Sequence, residues 1–239
     1  MHLSLVIPAH NEAQRIERTL RAYATAFRDE AELLVVVNGS KDATAELARR
    51  VAAEHRCIRV IEILEPVGKG GAVKAGLAEA VGTWVGFVDA DLATSPEEYR
   101  RMLVLAERGD GAVGSRWAPG ARVIGRSALR TVASRGFATV VRGLFGLPFT
   151  DTQCGAKIFH RRFLPGYLAT SRLQGMAFDV EMLLLLRRAG ARIADVPTVW
   201  MDQPGSSTLS SPLGLLKHGL LMLGSLARLK WGPRGRALE

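Results

Sequence analysis

Two acids separated by one alanine, Asp89 and Asp91, close an apolar run that extends from Trp84 to Val88. With Ser95-Pro96-Glu97-Glu98 after it, the stretch reads as a buried strand, a tight loop and the first turn of a helix. Two carboxylates at the carboxyl end of a buried strand are unfavourable unless something pairs them. Mg²⁺ or Mn²⁺ suits the task, because such ions take oxygen ligands, keep several waters and also bind substrate phosphates. Taken alone, a bare Asp-X-Asp is common and fits a solvated loop with two helix-capping acids better than a metal site; its neighbours change the balance.

The elements that must position these acids follow from periodicity. Leu3 to Ile7 reads as a strand, followed by the loop Pro8-Ala9-His10-Asn11-Glu12. Ile16, Leu20, Tyr23, Ala24 and Phe27 fall at helical spacing and predict a helix from Glu12 to Arg28. Glu32 to Val37 is a second strand, and Ser40 in the turn Asn38-Gly39-Ser40 is the expected N-cap of a helix to His55. Ile58 to Leu64 reads as a strand, Gly68 to Ala80 as a helix, Pro96 to Arg108 as a helix and Gly111 to Gly114 as a strand. This alternation predicts a single α/β domain with an open, mostly parallel sheet and helices on both faces. Ligands of such sheets bind beyond the carboxyl ends of the strands, where Pro8-Ala9, Asn38-Gly39 and Asp89-Ala90-Asp91 converge.

After Arg116 the pattern changes. Arg126 to Phe145 reads as a basic helix, Asp151 to Gly155 as a turn, Ala156 to Phe159 as a strand, and Met176 to Arg188 as a helix carrying Asp179 and Glu181. Arg192 to Val196 is a further strand, and Leu213 to Trp231 is apolar on one side with Lys217, Arg228 and Lys230 nearby. Within one domain spanning 1–239, residues 1–116 therefore form a nucleotide-binding half and 117–239 an acceptor half with basic amphipathic helices.

Composition narrows the partners. The net charge is +9, and Arg116 to Phe149 holds six arginines (116, 122, 126, 130, 135 and 142) without an acid. Phosphorylated substrates and anionic lipid fit this excess; nucleic acid does not, since few aromatics interleave the arginines and no nucleic-acid motif is present. The two cysteines, Cys57 and Cys154, have no metal-ligand spacing and suit a reduced, cytoplasmic protein. No signal peptide and no apolar stretch of spanning length is expected.

Val6-Ile7-Pro8-Ala9-His10-Asn11-Glu12, Asn38-Gly39-Ser40-Lys41-Asp42-Ala43-Thr44, Gly68-Lys69-Gly70-Gly71-Ala72, Val88-Asp89-Ala90-Asp91 and Gly114-Ser115-Arg116, in this order, resemble family 2 glycosyltransferases of the GT-A, Rossmann-like fold. Asp89-Ala90-Asp91-Leu92-Ala93-Thr94, Asp151-Thr152-Gln153-Cys154-Gly155-Ala156-Lys157 and Ala177-Phe178-Asp179-Val180-Glu181 look most like dolichyl-phosphate β-glucosyltransferases and their prokaryotic relatives. The related mannose synthases usually carry glutamine at the position of Ala93, which favours glucose over mannose. The family usually has two acids where this chain has Val37 and Asn38, which puts base recognition in question. The Asn38 amide oxygen can still accept the uracil N–H, and so points to UDP over GDP.

The resemblance implies inverting transfer of a sugar, glucose from UDP-glucose, to a polyprenyl or dolichyl phosphate, with Mg²⁺ or Mn²⁺ neutralising the leaving diphosphate. Asp91 is the expected metal ligand, with Asp89 acting on the ribose, the metal or both. Pro8, Ala9, Asn11, Glu12, Asn38, Gly39 and Lys69 line the nucleotide pocket; Glu12 equally fits a first-turn acid facing the helix dipole. Gly70 and Gly71 suit close helix–sheet packing, without the spacing of a P-loop. Arg116, Arg126 and Arg130 are the acceptor-phosphate candidates, the last two on one helix face. Asp179 is open to three roles: general base for a hydroxyl acceptor, orientation of donor, metal shell or Lys157, and a structural ion pair. Cys154 reads as a small packed residue. The helices at 126–145 and 213–231 combine apolar and basic residues, as do helices lying on the inner face of a membrane; a dimer interface would use the same faces. Alternatives are a GDP-mannose-dependent mannosyltransferase, a transferase with a soluble acceptor, a nucleotidyltransferase and a nucleotide-sugar-binding sensor.

Overall fold

The computed structural model describes residues 2–202 and 212–232. Its strands are β1 (Leu3–Ala9), β2 (Ala31–Asn38), β3 (Ile58–Ile63), β4 (Trp84–Val88), β5 (Gly111–Ser115), β6 (Arg122–Ile124), β7 (Ala156–His160), β8 (Ile193–Pro197) and β9 (Val199–Met201). Its α-helices are α1 (Ile16–Phe27), α2 (Thr44–Glu54), α3 (Gly68–Ala78), α4 (Pro96–Ala106), α5 (Ala128–Phe145), α6 (Leu164–Thr170), α7 (Phe178–Arg188) and α8 (Pro212–Trp231).

Seven strands form one sheet in the order β3-β2-β1-β4-β7-β5-β8, parallel except for β7, which runs antiparallel between β4 and β5. Strands buried on both faces are apolar almost throughout, as β1 and β2 are. Their alternate residues supply two cores. Leu3, Leu5, Ile7, Leu33 and Val35 pack with Ile16, Leu20, Tyr23, Val51 and Met102 of α1, α2 and α4. Val6, Leu34, Val36 and Phe87 pack on the other face with Val73 and Leu77 of α3, Phe178 and Leu183 of α7, and Leu226 of α8. Parallel β6 and β9 make a small second sheet, tied to the loop after β4 by the bridge Thr94↔Trp200.

The strand order reverses between β1 and β4. Pairing of β1 with β4 stops at Val6↔Phe87, whereas pairing of β1 with β2 runs on to Ala9↔Val37. Pro8 lies in this last stretch, so its missing N–H costs no bond to β4. The crevice expected of a doubly wound sheet opens at this point.

The mostly parallel, doubly covered sheet is as the sequence predicts, with four differences. Helix α5 starts at Ala128 behind its N-cap Ser127, so that Arg126 precedes the helix and shares no helix face with Arg130. Helix α1 starts at Ile16, not Glu12, because Asn11 adopts a left-handed φ of 54° and the N–H groups of Asn11, Glu12 and Ala13 bond to Ser40, Thr44 and Asp42. Ser40 is thereby engaged with Asn11 instead of capping α2, which begins at Thr44 beside Asp42. The antiparallel entry of β7, the short α6 and the β6–β9 pair are additional. Strands of three residues are too short to show a period, and residue pattern carries no strand direction. Among the described residues no helix is long and apolar enough to cross a membrane.

Candidate active site

Asp89 and Asp91 follow β4 at the β1–β4 crevice. Asp91 sits before Leu92, whose φ of 60° turns the chain sharply, and its Oδ1 accepts the N–H of Ala93 (3.0 Å). Helix α1 holds the loop from below: Thr19 Oγ1 donates to the Ala90 carbonyl (2.7 Å) and Tyr23 Oη to that of Thr94 (2.9 Å). Burial, and then the neighbouring Asp89 carboxylate, push the Asp91 carboxyl above its ordinary range. Burial also raises Glu12 despite Arg15, and both Asp91 and Asp89 add to the rise. Glu12 is held by Arg15 Nε (2.6 Å). Three acids thus crowd one crevice, a field that favours a bound cation.

Among the described residues no three His, Cys, Asp or Glu side chains converge as a ready-made metal cage. Two carboxylates nonetheless fit Mg²⁺ or Mn²⁺, whose remaining ligands are commonly water and substrate phosphate. Asp89 is also paired with Lys69 Nζ at 2.5 Å. Burial pulls the Lys69 ammonium down, but Asp89 and Asp179 outweigh it and hold the group above its ordinary value. Lys69 stands in the first turn of α3. That turn packs against α7 so closely that a Cβ on Gly70 would lie 2.5 Å from Phe178 Cβ. Close packing is thus the task of Gly70, while Gly71 N donates to the Gln174 carbonyl (3.1 Å).

The β1 loop forms the other wall. Pro8 and Ala9 end β1, and the Asn11 side chain accepts Lys41 N (2.8 Å) and donates to His10 Nε2 (3.1 Å). His10 Nδ1 donates to the Asn38 carbonyl (2.6 Å), and Gly39 N to the Ile63 carbonyl (2.8 Å). Asn38 differs from expectation. It is 5% exposed, its amide oxygen accepts Val67 N (2.8 Å) and its amide nitrogen donates to the Gly68 carbonyl (3.1 Å). Both ends of the amide brace the approach to α3, so Asn38 presents no free edge to a base.

Asp179 is 1% exposed and bonded to Lys157 Nζ at 2.5 Å. Of the roles open to it, this is the geometry of an ion pair that orients Lys157; burial raises its pKa against the pull of that lysine. Lys157 also donates to the Cys154 carbonyl (2.9 Å), and its Nζ lies 5.2 Å from the centre of the Phe87 ring, with Lys69 Nζ at 5.7 Å. Glu181, equally buried, accepts Arg172 N (2.9 Å) and Leu173 N (2.8 Å). It thereby fixes the loop whose Gln174 carbonyl takes Gly71 N. A sequence pattern of two acids on an apolar helix signals buried partners, but not which ones. Cys154 is fully buried, and burial pushes its thiol up to about 12, as suits a packing residue.

The arginines gather around Trp117 and Trp200, and Trp200 is bridged to Thr94 in the loop after β4. Asp151 takes Arg116 Nε (2.6 Å) and Nη2 (3.0 Å) in a buried two-pronged pair. Arg130 pairs with Asp202. Arg126 has no carboxylate partner among the described residues; it donates to Ser134 Oγ (2.5 Å) and the Arg130 carbonyl (3.2 Å). Burial, then the guanidiniums of Arg116 and Arg130, pull Arg126 down to about 10. Two indoles not foreseen from the sequence hold the group together. The guanidinium carbons of Arg116, Arg126 and Arg135 lie 5.5, 5.8 and 5.1 Å from the centre of Trp117, and those of Arg116 and Arg126 lie 5.5 and 5.3 Å from Trp200. Trp200 belongs to β9 and Trp117 follows the Gly-Ser-Arg motif, so only the fold makes them neighbours.

The fold and site define an open α/β sheet with acids at its switch point and a separate cluster of guanidiniums around Trp117 and Trp200. Comparison with known proteins makes this specific. The model of Glycosyl transferase family 2 matches residues 4–165, and the chain belongs to that family. It is 33% identical over 224 residues to the dolichyl-phosphate beta-glucosyltransferase of Drosophila melanogaster, covering 86% of this chain and 69% of that protein. It is 32% identical over 241 residues to glycosyltransferase AglD of Haloferax volcanii, covering 98% of this chain but only 38% of that protein. Glucosyl-3-phosphoglycerate synthase from Mycobacterium tuberculosis has the same fold, with a TM-score of 0.70 at 20% identity over 98% of this chain and 82% of that one. That enzyme has also been solved with Mn²⁺ and UDP. The architecture is the GT-A arrangement that the motifs imply.

Proposed function

We propose that this chain is an inverting hexosyltransferase that moves glucose from UDP-glucose to a polyprenyl phosphate. The observation that carries the reading is the surplus of guanidinium charge at Arg126, which shares Trp200 with Arg116 and through it reaches the loop that follows Asp91. A phosphate acceptor supplies the missing anion, and a neutral hydroxyl does not. Glucose and the lipid acceptor are taken from the dolichyl-phosphate β-glucosyltransferases it is similar to.

The donor nucleoside lies along Pro8, Ala9, Asn11, Glu12 and Gly39, with the diphosphate toward Asp89 and Asp91. These two acids would hold Mg²⁺ or Mn²⁺, which neutralises charge on the leaving diphosphate. Lys69 places a further positive charge beside Asp89 and so beside the same diphosphate. Arg116, fixed by Asp151, and Arg126 and Arg130 orient the acceptor phosphate. One of its oxygens attacks the anomeric carbon as the bond to the diphosphate breaks, and UDP departs. The nucleophile is already anionic, so no general base is required. That agrees with a buried Asp179 engaged by Lys157.

Lipid access is supported by an apolar surface beside the arginines. Leu129 and Val132 of α5, Leu220, Leu221 and Trp231 of α8, and Ile124 of β6 are exposed, with Arg228 and Lys230 close by. The side chain of Lys217 lies outside those described. A protein that rests on the cytoplasmic leaflet through this face floats with anionic liposomes at low salt; failure to float there removes the membrane arm. The main test follows nucleotide release from UDP-glucose and GDP-mannose with Mn²⁺, with and without a short prenyl phosphate. Prenyl-phosphate-dependent release of UDP is expected. Release of GDP instead overturns the donor assignment, and metal-dependent nucleotide binding without lipid-dependent turnover overturns the acceptor.

A further inference from the structure

Trp117 carries a feature that the guanidinium contacts do not use. Its indole Nε1 is buried and has no hydrogen-bond partner among the described residues, and the same is true of the Nε atoms of Arg126 and Arg130. Unpartnered buried donors are rare, since each has given up its water without a replacement. Here three of them fall in one cluster. The Trp117 ring lies between the guanidiniums of Arg116, Arg126 and Arg135, and its backbone is anchored. Asp195 Oδ2 accepts from Thr150 Oγ1 (2.6 Å), Thr150 Oγ1 from Ser115 Oγ (2.6 Å), and Ser115 Oγ from Trp117 N (3.1 Å). A rigidly held N–H donor among cations, with no acceptor among the described residues, stands where an oxyanion would be drawn.

We infer that Trp117 is a binding residue for the acceptor, its indole N–H donating to a phosphate oxygen while its ring spaces the surrounding guanidiniums. The inference rests on the acceptor reading above and adds a neutral, directional donor to it. Charge alone would attract any anion; an N–H fixed in direction selects for an oxyanion seated at one depth. The ligand class is a phosphate monoester, whose three terminal oxygens can meet an indole and two guanidinium edges together.

The test compares wild type and Trp117→Phe in Mn²⁺-dependent UDP release with citronellyl phosphate as acceptor. Phenylalanine keeps a ring for the guanidiniums and removes the N–H. The KM for citronellyl phosphate is expected to rise about ten-fold or more, and the KM for UDP-glucose to stay within about two-fold, below what one lost hydrogen bond produces. An unchanged acceptor KM in a turning-over variant overturns the inference and leaves the acceptor reading intact. Absence of citronellyl-phosphate-dependent turnover in wild type overturns both. Should the variant not fold, the four indole N–H resonances of ¹⁵N-labelled wild type are followed during titration with citronellyl phosphate. They are assigned by elimination with Trp84→Phe, Trp200→Phe and Trp231→Phe. A downfield shift of the Trp117 signal supports the inference, and a stationary one overturns it.

Discussion

Gly155 faces Asp89 so closely that a Cβ on it would lie 1.9 Å from the carboxylate Oδ2. Gly155 also accepts Asp89 N through its carbonyl at 3.0 Å, so the residue that leads into the antiparallel strand β7 both ties down the acid and leaves room for it. Any side chain here must turn the Asp89 carboxylate out of the crevice. Gly155→Ala is therefore expected to lower kcat/KM for UDP-glucose by about a hundred-fold, the scale of a 1 Å misplacement. The far-ultraviolet circular dichroism should stay the same. Steady-state kinetics at saturating acceptor checks this.

Asp91→Asn removes one of two carboxylates that must balance the cation and the leaving diphosphate. Turnover is expected to fall by at least about a thousand-fold, comparable to losing a main electrostatic stabiliser. The melting temperature should hold or rise, because burial and Asp89 already disfavour the charged form of Asp91 in the folded protein. Full activity in this variant would refute the assignment.

The Arg116–Asp151 pair is buried at both ends, with side chains 8% and 2% exposed. Asp151→Asn leaves the guanidinium without its counter-ion and is expected to cost about 3–5 kcal/mol in urea unfolding. The pH dependence has a definite sign. Burial would raise the Asp151 carboxyl, but Arg116 and the backbone N–H groups outweigh it and hold it below the usual range. Its contribution is present above the unfolded value of about 3.9 and is lost as pH falls through the lower folded value. Unfolding midpoints measured across acid pH should show this decline in wild type and lack it in Asp151→Asn.

Glu181→Ala would strip the carboxylate that accepts from the backbone N–H groups of Arg172 and Leu173. A loss of about 1–3 kcal/mol is expected for each buried donor left unpaired. The loop also carries the Gln174 carbonyl that takes Gly71 N, so α3 and Lys69 should loosen with it. The readout is a rise in the KM for UDP-glucose, partly restored in Glu181→Gln, whose amide keeps one accepting oxygen.

Much of this was written in the chain. Apolar runs of five to eight residues sufficed for β1, β2, β4 and β5, because burial on both faces leaves no other pattern, while the half-exposed edge strand β3 was legible from its β-branched residues. The acids at the end of β4 and the loops after β1 and β2 could be placed at one crevice for the same reason, since parallel strands bring their carboxyl ends together. Asn38 was not legible in this way. An amide can face a base or brace a loop, and only the nearness of Val67 and Gly68 decides for the loop.

By itself, then, the sequence determined the doubly wound sheet, the position of Asp89 and Asp91, and the excess of arginine after the Gly-Ser-Arg motif. Tertiary structure alone decided which charges are spent and which remain. Asp151 binds Arg116, Asp202 binds Arg130, Asp179 binds Lys157 and Asp89 binds Lys69, while Arg126 has no acid partner among the described residues. It also decided that Trp117 and Trp200, far apart in the chain, share the same guanidiniums. Local sequence fixes periodicity and burial, whereas ion pairs depend on ångström-scale distances between segments, which exist only once the strands have taken their order in the sheet.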